Sequence, residues 1–202
     1  MVCSCSSPLA CHHILMKPVG SRVIETERLI MRPLQEGDAP FIYKNWTSDP
    51  MVTRYLTWDA HASLQDTENY VRYKLKRNSE DPYRFDWVLV LKETGEPIGE
   101  MEGVRASLQD NLVEMGDAIG SKFWNRGIAT EALKAFIRYL FEVAEVEKIV
   151  ACHISTNPAS GRVMEKAGMH KDGVLKGYLI DKTTSRREDS VWYSIDKKDY
   201  GD

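Results

Sequence analysis

The chain lacks several features that would assign it quickly. Four cysteines occur in 202 residues, and three of them, Cys3, Cys5 and Cys11, crowd into the first stretch. A disulfide framework is not indicated, and a reducing cytoplasm is the expected setting. No apolar run approaches the roughly 20 residues that span a bilayer, so no membrane partner is expected. Charge of neither sign dominates: 27 Lys and Arg stand against 30 Asp and Glu, a formal net charge of -3. That balance gives no basic footprint, and no nucleic-acid partner is expected. There is no G-x-x-x-x-G-K-S/T loop and no G-x-G-x-x-G after a strand, which removes the P-loop and dinucleotide readings. Repeats and low-complexity tracts are also missing.

The N-terminal stretch "MVCSCSSPLACHHILM" matches no standard zinc spacing, so no metal is expected there. It also lacks the basic and apolar regions of a secretory signal. Residues 1–20 are expected to be a disordered extension. Residues 21–202 are expected to form one domain, a length that suffices for a proper core.

What is present reads as mixed α/β. Arg22 to Leu34 has the pattern of a first strand with a turn near Thr26–Arg28. Asp38 can cap a short helix near Pro40. Ser63 followed by Asp66 resembles a capping box, opening a helix to about Arg77 with Leu64, Val71 and Leu75 on one face. Two strands flank Thr94–Gly95, a hairpin signal. Leu112–Gly120 is a further strand, and its glycines Gly116 and Gly120 suggest a bulge or a close backbone approach. Ala129, Ala132, Leu133, Phe136, Ile137, Leu140 and Phe141 then follow helical periodicity. Lys148–Ile154 is a short apolar strand of the kind buried on both faces. Strand, helix, strand in this order suggests a parallel crossover. A helix from about Ala159 to Ala167 and two antiparallel strands close the chain.

The stretch "FWNRGIATEA", Phe123 to Ala132, sits where the crossover helix begins. A glycine inside a helix costs about 1 kcal/mol against alanine, so Gly127 needs a reason. A helix start offers unpaired N–H groups and partial positive charge, and so can hold an anion. Gly127 and the small Ala129 would clear the backbone for a phosphate, Arg126 would add charge, and Thr130 a hydroxyl. A plain glycine-containing helix start with a surface arginine stands as the alternative.

The segment Trp124 to Ala129 resembles motif A of the GNAT superfamily of acetyl-CoA-dependent N-acetyltransferases, Gln/Arg-x-x-Gly-x-Gly/Ala. Gly127 and Ala129 match, and Trp124 stands where Gln or Arg is usual. "GDAIGSKFWNRGIATEA" is similar to the corresponding phrase in the ribosomal-protein N-terminal (alanine and serine) acetyltransferases, where Trp is familiar at that place. "ETERLIMRPLQEGDA", "TGEPIGEMEG" and "NPASGRVMEKAGMHKDGVLKG" resemble further segments of that branch, so the likeness runs from about Arg22 to Tyr193.

The resemblance implies a largely antiparallel sheet of about seven strands with one splayed parallel pair, flanked by about four helices. It implies acetyl-CoA as co-substrate, with its pantetheine arm along Ala118, Ile119 and Gly120. The pyrophosphate would sit at Asn125, Arg126, Gly127, Ile128, Ala129 and Thr130, and Asn157 would add a contact. The family's acid tyrosine is replaced by Met164. Ser160 matches the serine that the ribosomal branch places near the thiolate, and Tyr178 is a second acid candidate. Glu102, Glu114 and Asp117 are candidates for a base, Asp117 foremost, and His153 and His170 read as packing or surface residues. Tyr55 and Trp58, with Glu102, would face the acceptor. The implied reaction is direct acyl transfer to a primary amine, foremost a protein N-terminal α-amine. A small-amine acetyltransferase and a non-catalytic CoA-binding module are the alternatives, and the chain would act as a monomer or homodimer.

Overall fold

A computed structural model describes residues 16–201. One eight-stranded sheet organises them, in the order β1-β2-β3-β4-β5-β6-β8-β7. The strands are β1 (Ile24–Glu25), β2 (Leu29–Arg32), β3 (Asp86–Leu91), β4 (Pro97–Ser107), β5 (Leu112–Ile119), β6 (Lys148–Ile154), β7 (His170–Asp181) and β8 (Arg186–Asp196). Every neighbouring pair is antiparallel except β5 with β6. The sheet has one strand more than expected, because the opening strand breaks at the Thr26–Arg28 turn into β1 and β2. Thr26 Oγ1 accepts from Leu29 N at 3.0 Å and closes that turn.

The α-helices are α1 (Ala39–Ile42), α2 (Pro50–Thr53), α3 (Leu64–Glu80), α4 (Ile128–Glu142) and α5 (Pro158–Lys166). The helix α4 lies over the seam between β5 and β6. Its Phe136, Ile137 and Leu140 share one core with Val113 and Met115 of β5 and with Ile149 and Ala151 of β6. A smaller core on the opposite face joins Ile42, Trp46 and Val71 to Val88, Val90 and Ala118. Among the described residues no helix is long and apolar enough to cross a membrane.

Several local expectations need correction. Asp38 does not cap α1. Its carboxylate instead accepts from Arg32 at 2.6 and 2.8 Å and from Gln35 N at 2.8 Å. The Ser63–Asp66 capping box does form. The buried face of α3, however, is Thr67, Val71 and Lys74, while Leu64 is exposed. β6 is buried on alternate residues rather than on both faces. The packed chain also begins earlier than residue 21. Met16 is 2% exposed in the main core, and Lys17 N donates to Ala144 O at 2.7 Å. The Cys- and His-containing segment ahead of Met16 lies outside the described residues.

Candidate active site

The parallel pairing of β5 and β6 covers three positions, Leu112–Lys148, Val113–Ile149 and Glu114–Val150. Beyond them β5 runs on bonded only to β4, and β6 only to β8. The two strands therefore diverge into a wedge. The divergence coincides with a bulge in β4, where the register slips between Gly103–Met115 and Arg105–Glu114. A bulge bends its strand and raises its twist. Gly116 makes room for it, since a Cβ there would stand 2.9 Å from Val104 Cγ1.

The wedge opens into a cleft of about 530 Å³, lined by Met115–Ile119 of β5, Cys152–Ile154 of β6, the start of α4 and one face of α5. Clefts of this size suit a small ligand. One wall is the loop into α4. Trp124 donates its indole N–H to the Ile119 carbonyl at 2.7 Å and ties that loop to the end of β5. Asn125 and Gly127 both take left-handed backbone angles, φ 58° and 74°.

Gly127 is the residue before the first helical turn, and its side-chain space is not crowded. The nearest atom to a built Cβ is Arg28 Nη2 at 3.5 Å, an ordinary contact. The glycine is there for its positive φ, which costs an L-residue about 1–2 kcal/mol. That requirement of the chain itself stands beside the expected approach of a phosphate. The first helical bond is Glu131 N to Gly127 O at 3.1 Å. The N–H groups of Gly127, Ile128, Ala129 and Thr130 donate to no backbone carbonyl among the described residues. They face a cleft that all four residues line, which is the arrangement of an anion site.

Glu131 anchors this wall from behind. It accepts from Thr26 Oγ1 at 2.6 Å, Arg28 N at 2.8 Å and Arg28 Nε at 2.7 Å. Arg28 Nη1 in turn donates to the Arg126 carbonyl at 2.6 Å. Burial alone would raise the Glu131 carboxyl, but the bonds from Thr26 and Arg28 outweigh it and hold the group below its ordinary value.

On the other wall, Asn157 precedes α5 without capping it through its side chain. Its amide donates to Ser160 Oγ at 3.0 Å, which leaves the hydroxyl proton free to donate in turn. α5 can approach β6 and β8 closely because residue 161 is glycine. A Cβ there would lie 2.7 Å from Tyr193 Oη and 2.8 Å from His153 Nε2. His153 is buried, with Nδ1 2.8 Å from the Ile154 carbonyl, and His170 is exposed. Asp117 is the one acid lining the cleft. Burial first, and Glu100 second, push its carboxyl up to about 6.

Ser160, Asp117, Asn157, Tyr55, Ala118, Ile119, Asn125, Gly127, Ile128, Ala129 and Thr130 thus line one cleft. Six expected site residues do not line it, among them Glu114 of β5, which stands 3.9 Å from Arg105. Gly120 is buried against the Asn45 carbonyl, 2.4 Å from where its Cβ would be. Arg126 is exposed, 3.8 Å from Glu93 and over the Phe123 ring. Tyr178 is 58% exposed on the edge strand β7. Trp58 packs in a ring cluster with His61 and Tyr70.

Glu102 belongs to a cluster behind the cleft. Lys74 Nζ sits 2.9 Å from Glu100, 3.2 Å from Glu102 and 3.8 Å from Asp86. Arg77 bonds Asp86 and Glu102, and Tyr70 donates to Glu100 at 2.8 Å. Burial opposes ionisation of Glu102, yet Lys74, Asp86 and Arg77 draw its carboxyl down. Burial drives Asp86 up against Lys74, so a proton shared by this pair favours Asp86. Arg162 and Lys166 of α5, not expected from the sequence, also line the cleft. Their i,i+4 spacing after Asn157 was the available signal.

Residues 28–170 match the model of the acetyltransferase (GNAT) domain. YoaA of Bacillus subtilis, described as an N-acetyltransferase, is 28% identical over 87% of this chain and 97% of its own length. The ribosomal protein uS5-alanine N-acetyltransferase of Escherichia coli is 35% identical over 66 residues, 33% of this chain and 34% of its own. The crystal structure of the ribosomal-protein-S5-alanine acetyltransferase of Vibrio fischeri has the same fold. Its TM-score is 0.77 at 20% identity, over 90% of this chain and 100% of that one.

Proposed function

Because this chain belongs to the GNAT family of acetyltransferases, we propose that it acetylates a protein N-terminal α-amine. The family's co-substrate, acetyl-CoA, supplies the activated acetyl thioester. The residues present fit it: a wedge of unpaired strand edges, then four unpaired N–H groups at the start of α4, all in one cleft. The unpaired edge of β5 at Ala118 and Ile119 holds the pantetheine amides. Gly127 to Thr130 hold the pyrophosphate through their N–H groups.

The observation that carries the mechanism is the pairing of Ser160, fixed by Asn157, with Asp117 in the same cleft. Asp117 accepts the amine proton, directly or through water. Ser160 donates its proton to the departing sulfur. Both are positioned side chains of the general acid–base kind. The acceptor class follows from the match of proton affinities. An α-amine near pKa 8 gives its proton to a carboxyl at about 6 more readily than a lysine or polyamine amine near 10.4 does. Relatives described as alanine N-acetyltransferases of a ribosomal protein support the same reading.

The test is an acceptor panel with mass detection: peptides with free Ala or Ser N-termini, polyamines, free amino acids and amine-bearing antibiotics. Acetylation confined to peptide α-amines is the expected result. Preferred turnover of a small amine overturns the acceptor assignment. CoA binding without turnover on any amine overturns the enzymatic one.

A further inference from the structure

β5 and β6 separate at the wedge, and the chain bridges the gap again on the face opposite α4. The turn between β7 and β8 reaches the loop that follows α2. There Lys182 Nζ donates to the Trp58 carbonyl and stands 3.0 Å from Asp59 Oδ1. The turn is fixed from within. Asp181 is buried, and its carboxylate accepts from Thr183 N at 2.7 Å and Thr184 N at 3.1 Å. Ser185 N donates to the Asp181 carbonyl at 2.7 Å. The loop is held far less. Among the described residues the backbone of Thr57 to Ala60 makes one hydrogen bond, the one that the Trp58 carbonyl accepts from Lys182. Segments with few backbone bonds open at low cost.

The contact between them is weak in itself. The Lys182 side chain is 28% exposed and that of Asp59 is 91% exposed, so solvent screens the pair. A screened ion pair between a fixed turn and a loosely bonded loop suits a part that opens and closes.

What this loop covers follows from its neighbours. Tyr55 and Leu56, just before it, line the cleft, and Leu56 and Trp58 pack on the smaller core. That core lies on the face opposite α4, so the loop closes the cleft on the side away from the first turn of α4. A nucleotide held by the N–H groups of Gly127 to Thr130 leaves this side to the second substrate, the amine. Cys152 of β6 reports on the same side. Ile149 and Ala151 pack in the core beneath α4. Strand alternation therefore turns Cys152, a half-buried residue of the cleft, toward the loop.

We propose that the β7–β8 turn and the loop after α2 form a gate on the acceptor side of the cleft, latched by Lys182, which a peptide acceptor must open and acetyl-CoA need not. The proposal rests on the acceptor reading above. Lys182 touches neither the acetyl donor nor the reacting atoms; it sets how often the acceptor side stands open.

The test reads the gate without using the reaction. The full chain is alkylated with a bulky reagent, a polyethylene-glycol maleimide, and in parallel with the small reagent iodoacetamide. Loss of the unmodified Cys152 peptide is followed by mass, which separates it from Cys3, Cys5 and Cys11. In Lys182→Met the bulky reagent is expected to react about two- to fivefold faster at Cys152, the scale on which an exposed ion pair biases an equilibrium. The small reagent should react at the native rate, and Lys182→Arg should restore slow bulky labelling. Equal bulky labelling of native and Lys182→Met protein overturns the gate. So does acceleration of both reagents, which would mean general loosening. In steady-state kinetics Lys182→Met should raise kcat/KM for a peptide with a free Ala N-terminus by a similar factor and leave the KM for acetyl-CoA unchanged. A fall in that kcat/KM overturns the gate, because the lysine would then hold the acceptor rather than bar it. Absence of turnover on any amine overturns the acceptor reading instead, and the labelling rates still decide whether the gate exists.

Discussion

Arg28 and Glu131 are joined across more than a hundred residues of sequence by two bonds, at 2.8 and 2.7 Å, from the backbone and the side chain of the arginine. Arg28 also holds the Arg126 carbonyl at 2.6 Å, so one side chain fastens both the first turn of α4 and the loop before it. Glu131→Ala is expected to cost roughly 1–3 kcal/mol of stability, the scale for lost hydrogen bonds to a charged group. It should also raise the KM for acetyl-CoA while leaving kcat at saturation near native. Because the native carboxyl is held low, its contribution is complete above the unfolded value near 4.5 and is lost as pH falls through the lowered one. Thermal melts between pH 3 and 7 check this. A variant whose deficit does not shrink on acidification would show that the clamp is not ionic.

Gly127→Ala isolates backbone strain. The side chain has room, with Arg28 Nη2 at 3.5 Å, but the φ of 74° does not suit an L-residue. The expected loss is about 1–2 kcal/mol without any ligand present. Gly127→Asn should lose less, since asparagine tolerates this region better than alanine. Equal melting temperatures for native and Gly127→Ala protein would refute the strain account.

The proposed role of Asp117 would link activity and stability in opposite directions. As a base it must be ionised, so kcat/KM should rise with pH through about 6. Asp117→Asn should remove that limb and lower kcat by roughly 10²–10⁴-fold. The folded pKa lies above the unfolded value of 3.8, so ionisation disfavours the fold as pH rises from there through about 6. The same Asn variant should therefore be more stable than native at pH 7.5, by roughly 1–3 kcal/mol. A variant that is inactive and also less stable would make Asp117 a structural residue.

Lys74 is 3% exposed among Asp86, Glu100 and Glu102. Lys74→Met leaves the buried Asp86 and Glu100 and the half-buried Glu102, with Arg77 paired to Asp86 and Glu102 alone. Loss of one partner of a buried pair costs about 3–5 kcal/mol. Urea denaturation is expected to show that loss at pH 7 and a partial recovery at pH 5, where the carboxylates protonate more readily.

These residues also show what could be read without coordinates. α4 was legible because its apolar residues recur with helical period and nothing tertiary opposes them. The capping box at Ser63 was legible because its chemistry is local. The family resemblance pointed to the cleft from the phrase around Gly127, but the glycine's left-handed backbone angle could not be read from the phrase. Lys74 gave no signal in the sequence of α3, because its acids lie on β3 and β4. Glu131 reads as one more charge on a helix, because Thr26 and Arg28 are a hundred residues away. Glu102 and Trp58 were assigned to the acceptor side by type, but neighbours invisible in the sequence had already engaged them.

The three-residue pairing of β5 with β6 makes the sheet two leaves joined by a short hinge. β1 to β5 form one leaf. β6 forms the other with β8, along all seven of its residues, and with β7 beyond. Beside this hinge, α4 packs against both leaves from one side, and Lys182 of the β7–β8 turn pairs with Asp59. A ligand lodged in the wedge spans the gap and becomes a second rivet on the open side. Anything bound there would couple the melting of the two leaves.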